Sequence, residues 1–218
     1  MSPALNDLLE RMVLKEVVAS SAQSISWNAH REAEKLADTS LVDVLQGVLK
    51  TSRSKEVRRA AYFILGALGR NTADPRCAQI LVNGAALESD KYVLSALLDN
   101  LAPIHKSAEL PLEPIFQKLH DKRWLVRHSA IQALRRSHSD EAESHLLALL
   151  AHTTDPHDRV YCHATLNNIG TGRSIPALTE SLSSRTRDVR MSAELAIAAI
   201  RERETSPATG VIRQNADA

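Results

Sequence analysis

The sequence predicts an all-α protein, a right-handed α-solenoid of antiparallel helix pairs. Two observations lead to this prediction. A short frame, in which a small or apolar residue follows a valine by four positions, recurs five times along the chain. An apolar residue also precedes each of these valines at a nearly constant distance. Self-similarity with a period of roughly 20 to 50 residues is the sequence signature of stacked repeats.

The recurring frame predicts the second helix of each pair. Each frame continues with small or apolar residues about two helical turns later, which produces the i, i+4, i+7, i+8 pattern of a buried helix face. Successive valines are 36, 33, 34 and 29 residues apart. The frames run from Val57 to Ala61, Val93 to Leu97, Val126 to Ala130, Val160 to Ala164 and Val189 to Ala193.

The residues before each frame predict the first helix. Val82, Ile115, Leu149 and Leu178 stand eleven positions before their valines, and Leu45 stands twelve before Val57. A constant offset implies the same short turn in each unit, and therefore an antiparallel helical hairpin.

Several helix ends carry their own signals. Asp74-Pro75 and Asp155-Pro156 each place an N-cap residue before a proline at the first helical position. Gly69 and Gly170 are expected to end helices.

The repeat pattern also divides the chain. Residues 1–203 are predicted to form the solenoid, with about six helix pairs, and residues 1–39 are its divergent N-terminal cap. Residues 204–218 lack periodicity and are expected to be a flexible tail.

The second-helix frame resembles HEAT repeats, particularly the short bacterial kind known from phycobilin lyases. The family form is roughly Asp-x-x-Val-Arg-x-x-Ala, and it is clearest at 56–61, 125–130 and 188–193. The units at Val93 and Val160 depart from it, with Leu94 and Tyr161 where arginine is expected. The resemblance implies an armadillo-like stack whose second helices line the concave face. It implies little about function, because the family includes scaffolds, adaptors and enzymes.

Composition narrows the functional classes. The 27 basic and 26 acidic residues nearly balance, which argues against a strong electrostatic attraction to nucleic acid or to a membrane. Cys77 and Cys162 are far apart, as expected of reduced cysteines in an intracellular protein. Charged residues interrupt the N-terminal apolar stretch, so we expect neither a signal peptide nor a membrane span, and a cytoplasmic location.

The sequence contains two candidate chemical sites, and both favour a structural interpretation. His152, Asp155, His157 and Asp158 could bind a metal, but their spacing matches no established helical ligand pair, and a polar turn capped by Asp155 is favoured. The segment 170–174 contains Gly-Thr-Gly, but it follows a helix and lacks the rest of a phosphate-binding motif.

No histidine is directly followed by glutamate, unlike the repeated His-Glu pairs of some HEAT-like di-iron enzymes. We therefore expect no catalytic residues, no metal site and no cofactor.

The expected function is a non-enzymatic scaffold or adaptor that binds a protein or peptide on the concave face. This prediction rests on second-helix positions turned away from the buried stripe, which include an apolar track, basic residues and two of the chain's few aromatics. Leu98 and Ile131 could instead pack between neighbouring repeats. The predicted partner-binding residues are Lys55, Arg59, Tyr62, Lys91, Leu98, Trp124, His128, Ile131 and Arg187.

The alternative is a nucleic-acid-associated HEAT-like protein that binds DNA or acts in DNA repair. It would use basic residues near the second-helix starts, although acidic residues at the same starts weaken a continuous positive field. Arg58, Arg127 and Arg190 share one repeat position and form either a structural Asp/Arg ladder or a binding stripe, with Asp188 and Arg190 as a candidate ladder pair. The full basic set is Lys55, Arg58, Arg59, Lys91, Arg123, Arg127, Arg187 and Arg190.

Overall fold

The computed structural model describes residues 3–205, and helices are the main secondary structure of this part of the chain. Twelve α-helices follow one another in six consecutive pairs. They are α1 (Pro3–Met12), α2 (Ile25–Ala33), α3 (Leu41–Thr51), α4 (Lys55–Thr72), α5 (Pro75–Leu87), α6 (Lys91–Leu101), α7 (Glu113–Lys118), α8 (Trp124–Ala133), α9 (Asp140–His152), α10 (Pro156–Ile169), α11 (Ile175–Ser181) and α12 (Arg187–Thr205). The predicted all-α solenoid is confirmed.

The second helices form a continuous row. Helices α4, α6, α8, α10 and α12 each pack against the next one, and each also contacts the first helix of its own pair. The apolar residues predicted to anchor the first helices, from Leu45 to Leu178, are buried in one continuous core. Among the described residues, no helix has the length and apolar content that crossing a bilayer requires.

The predicted buried positions are confirmed in four second helices and are shifted by two residues in α10. Val93, Val126 and Val189 are fully buried and Val57 is half-buried, but Ala164 in the fourth frame is exposed. The buried residues of α10 include Asp158, Cys162, Thr165 and Leu166, which follow the same i, i+4, i+7, i+8 pattern from a start two residues earlier, and His163 is buried beside them. The prediction that Val160 begins the buried stripe is therefore wrong, because Asp158 occupies the place that valine takes elsewhere.

Local signals start most of these helices. Asp74 and Asp155 accept a hydrogen bond from the backbone N–H two residues later, as their Asp-Pro sequences predict. Gly170 ends α10, but Gly69 lies inside α4. A Cβ at Gly69 would lie 2.6 Å from Ile104 Cδ1, so the glycine is needed for close packing rather than for helix termination.

The connection between α6 and α7 is held by a buried lysine. The Lys106 ammonium group donates to the carbonyl oxygens of Leu101 and Ile104, at 2.9 and 2.6 Å, which satisfies groups at the end of α6. The Lys106 backbone pairs with residues 136–138 through one isolated β-bridge with Ser137, and residues 3–205 contain no strand.

Helix α12 extends slightly beyond the predicted end of the solenoid. Glu204 and Thr205 still belong to α12, two residues beyond the predicted end of the solenoid. Residues 206–218, the rest of the predicted tail, lie outside the described residues.

Candidate functional site

The structure divides the nine predicted partner-binding residues into an exposed and a buried group. Lys55, Arg59, Lys91, Trp124 and Arg187 are exposed, and Trp124 retains 63% of its accessible surface. Tyr62, Leu98, His128 and Ile131 are buried, with 7% exposure or less. The structure thus supports surface accessibility for the first group only.

The buried group marks a position that faces the neighbouring repeat. Tyr62, Leu98 and Ile131 each stand five residues after their repeat valine, about 140° around the helix. His163 takes this position in α10, where its Nδ1 lies 2.9 Å from Ser192 Oγ of α12 and burial lowers its pKa to about 4. The prediction that Tyr62, Leu98 and Ile131 form an open apolar track is wrong, because all three are buried, and the Tyr62 hydroxyl contacts Glu88 of the next repeat at 3.3 Å.

The open face of the second helices lies at other positions. The buried stripe starts at the repeat valine of each second helix, or at Asp158 in α10. The residue one position before this start and the residue six positions after it are exposed or half-buried in all five helices. We call this surface the open face, and it comprises Glu56, Tyr92, Leu125, His157 and Asp188 with Phe63, Asp99, Gln132, Ala164 and Leu195.

The arginine that follows the stripe start has a structural role in four repeats. Arg58, Arg127, Arg159 and Arg190 each donate to the backbone carbonyl six residues earlier, in the turn between paired helices. When α10 is counted from Asp158, its arginine position is occupied by Arg159. The prediction that Tyr161 stands at this position is therefore wrong.

Two of these arginines also reach the next repeat. Arg58 binds both carboxylate oxygens of Glu88, at 2.6 and 3.1 Å. Arg127 Nε binds both oxygens of Asp158, at 2.9 and 2.8 Å. Arg190 makes no ion pair with Asp188 or with any other carboxylate among residues 3–205, so the expected Asp188–Arg190 pair is wrong. Arg58 and Arg127 form the ladder, and little of either is left for a binding stripe.

Asp158 is the centre of a buried polar cluster. Its side chain is 4% exposed. Besides Arg127, it accepts a hydrogen bond from Thr153 Oγ1 at 3.0 Å, and His128 Nε2 lies 2.9 Å from its Oδ1. The His128 ring stacks on Tyr161 with centroids 4.4 Å apart, and burial lowers the His128 pKa. Polar groups therefore surround the carboxylate, which explains how an aspartate can occupy a valine position.

Three of these groups have the composition of a metal site. Donor atoms of His128, Asp155 and Asp158 lie within 4.8 Å of one another. Arg127 contacts both carboxylates, however, and Asp155 caps α10 through the His157 N–H at 2.9 Å, a bond that lowers the Asp155 pKa. A metal ion here would have to displace the Arg127 guanidinium, which already supplies a positive charge to both carboxylates. The cluster therefore fits a structural ion-pair network better than a metal centre.

The glycine-containing loop binds carboxylates of this chain. The N–H and hydroxyl of Thr171 and the hydroxyl of Ser174 donate to buried Glu143, and the Gly172 N–H donates to Glu204. The donors that a phosphate would need are thus occupied, in agreement with the structural interpretation of this loop.

A cleft of about 400 Å³ lies between the starts of α6 and α8. Lys91, Tyr92, Arg123, Trp124 and Leu125 line it. Tyr92 is 58% exposed and Trp124 is 63% exposed, which is unusual for large aromatics in a chain with so few of them. We call this feature the aromatic cleft. Trp124 and Lys91 are among the residues predicted to bind a partner, but Tyr92, which lies one residue before a repeat valine, is not.

Part of the chain is similar to a known family of repeats. Residues 112–198, which span α7 to most of α12, match the family model described as HEAT repeats. No curated protein matches the chain. The crystal structure of AlkD2 from Streptococcus mutans is similar at 17% identity, covering 88% of this chain and 95% of that chain, with a TM-score of 0.43. That likeness is too distant to support a functional argument, and the phycobilin lyase subtype stays a prediction.

The starts of the second helices form a positively charged edge of the helical stack. We call this edge the rim and define it as residues 52–59, 88–95, 121–128, 153–160 and 184–191. It contains twelve basic and seven acidic residues, a net charge of +5 in a chain whose net charge is +1. Six of the seven acidic residues have a cationic partner within 4.0 Å. Among residues 3–205, no carboxylate lies that close to eight of the basic ones, namely Arg53, Arg59, Lys91, Lys122, Arg159, Arg185, Arg187 and Arg190.

Proposed function

We propose that the protein is a non-enzymatic scaffold that binds a protein partner at the aromatic cleft and the adjoining open face. The observation that carries the proposal is the exposure of Trp124 beside Tyr92. Exposed aromatics next to basic side chains are enriched at the energetic centres of protein interfaces. The nearby polar clusters are saturated by internal hydrogen bonds, which supports a binding role over a catalytic one.

Further apolar surface continues along the open face. Leu195, on the open face of α12, is 63% exposed, and Met191, one helical turn before it, is 44% exposed. A partner anchored at Trp124 would therefore find additional apolar contacts towards α12.

Replacing Trp124 by alanine should weaken partner binding and leave folding nearly intact. An exposed side chain contributes little to stability, whereas a central aromatic anchor contributes about 2 kcal/mol or more to binding, roughly a 30-fold change in affinity. The partner would be captured on immobilised wild-type protein and identified, and its affinity would then be titrated against each variant alongside thermal melts.

Trp27 provides the matched control. It is 52% exposed on α2, away from the cleft, so Trp27→Ala should change neither affinity nor melting temperature appreciably. A large fall in the melting temperature of Trp124→Ala with unchanged affinity would reject the binding role and make Trp124 a packing residue.

Nucleic-acid binding is a second candidate, favoured by the positive charge of the rim. Single strands bind to proteins through basic grooves and through stacking of bases on aromatic rings such as Tyr92 and Trp124. Binding of this kind must weaken steeply with added salt, so a salt titration with single-stranded oligonucleotides tests it.

A further inference from the structure

We infer that the rim and the aromatic cleft together recognise an acidic, extended peptide segment that carries one apolar side chain. This inference rests on the proposed function and specifies the chemistry of the partner. The apolar side chain occupies the cleft between Tyr92 and Trp124, and carboxylates on either side of it meet the unpaired cations of the rim.

The positive charge of the rim indicates that the segment it binds is negatively charged. Its acidic residues are mostly neutralised within the protein, as in the 2.6 Å pair between Lys55 and Asp90 and the bidentate pair between Arg58 and Glu88. The remaining cations are distributed over all five second-helix starts. Each start also presents the positive end of a helix dipole, which adds to the field of these side chains. A negatively charged segment is complementary to this edge as a whole.

The cleft determines where the apolar anchor sits. Lys91 Nζ lies 4.9 Å from the centre of the Tyr92 ring, at the mouth of the cleft. Arg123 is held in place by Asp121 and by the carbonyl oxygen of Ser89. An apolar side chain between Tyr92 and Trp124 would thus lie close to two cations, Lys91 and Arg123, which both line the cleft.

The distribution of acidic groups favours a peptide over a nucleic acid. Asp90 and Asp121 lie at the starts of α6 and α8, immediately beside the cleft. A nucleic acid carries a phosphate on each nucleotide and would place some of them against these carboxylates, whose pairs with Lys55 and Arg123 are neutral and offer a phosphate no net attraction. A peptide can leave neutral residues opposite Asp90 and Asp121 and place its own carboxylates opposite Lys91 and Lys122.

The two tryptophans of the chain allow a direct test. In a Trp27→Phe background, Trp124 is the single tryptophan, and its fluorescence reports occupancy of the cleft. Three probes free of tryptophan would be titrated: a short Glu-rich peptide with one central leucine, the same peptide with glutamine for each glutamate, and an oligodeoxythymidylate with the same number of negative charges.

The Glu-rich peptide should shift the Trp124 emission with an affinity that falls as salt is added, and the glutamine peptide should bind at least about tenfold more weakly. Lys91→Glu should weaken the Glu-rich peptide by about tenfold, because it reverses a charge at the cleft. Lys35→Glu, an equally exposed lysine beyond the end of α2, should leave its affinity unchanged.

Other results would overturn the inference. Tighter binding of the oligodeoxythymidylate than of the Glu-rich peptide, with the same dependence on Lys91, would assign the surface to nucleic acid. Equal binding of the glutamine peptide, or no response to any probe, would show that charge does not select the partner. The proposed function is judged separately: a captured partner that depends on Trp124 but not on Lys91 would leave the scaffold role intact and remove only the acidic segment.

Discussion

Replacing Ala130 by aspartate should destabilise the protein by about 4 kcal/mol or more, which is a large fraction of the free energy of unfolding of an ordinary domain. Ala130 is fully buried on α8, in the core shared with the neighbouring helices. A carboxylate placed there would lose its hydration without gaining a partner, and its additional atoms would also strain a close-packed core. Urea unfolding followed by circular dichroism measures the change.

Ala164 provides a control that separates the sequence frame from the structure. It stands in the same place as Ala130 within the recurring Val-x-x-x-Ala frame, but it is exposed on α10. Ala164→Asp should therefore cost only about 0.5 to 1 kcal/mol, the helix-propensity difference. Equal destabilisation by the two substitutions would contradict the α10 register described above and restore the frame that begins at Val160.

Replacing Arg127 by leucine should cost about 3 to 5 kcal/mol, because it leaves the buried Asp158 carboxylate without its main cation. The side chain of Arg127 is only 16% exposed, so water compensates poorly for the lost pair. The hydrogen bond from Thr153 and the contact with His128 would remain, but neither supplies a permanent positive charge. Denaturant unfolding measures the loss.

Two variants identify the origin of this effect. Arg190→Leu removes the arginine at the same repeat position in α12, where it binds only turn carbonyls, and should cost about 1 kcal/mol. The double variant Arg127→Leu with Asp158→Leu should be more stable than Arg127→Leu alone, because it removes the unpaired charge. If the double variant were the less stable of the two, the main role of Asp158 would lie in its bonds to Thr153 and His128 rather than in the ion pair.

The candidate site was only partly predictable from the sequence. Periodicity identified which second-helix residues are turned away from the first helix, and so it correctly placed Lys91, Trp124 and Arg187 on the surface. It could not distinguish the side of a helix that faces solvent from the side that faces the next repeat. Both sides lie away from the first helix, and an apolar residue such as Leu98 or Ile131 is compatible with either. Tyr92 was missed because it directly precedes a buried valine and has no repeated counterpart.

The sequence by itself determined the helical hairpin, the number of repeats and the positions of most turns. These features depend on local physics: apolar spacing along one helix, Asp-Pro caps, and a constant offset between paired helices. The tertiary structure decided the α10 register, the partners of the arginine ladder and the location of the aromatic cleft. Asp158 can replace a core valine only because Arg127, one repeat earlier, neutralises it, and the cleft exists only where α6 and α8 begin side by side. Contacts between residues about 30 positions apart decide these features, and a periodic pattern within one helix contains no information about them.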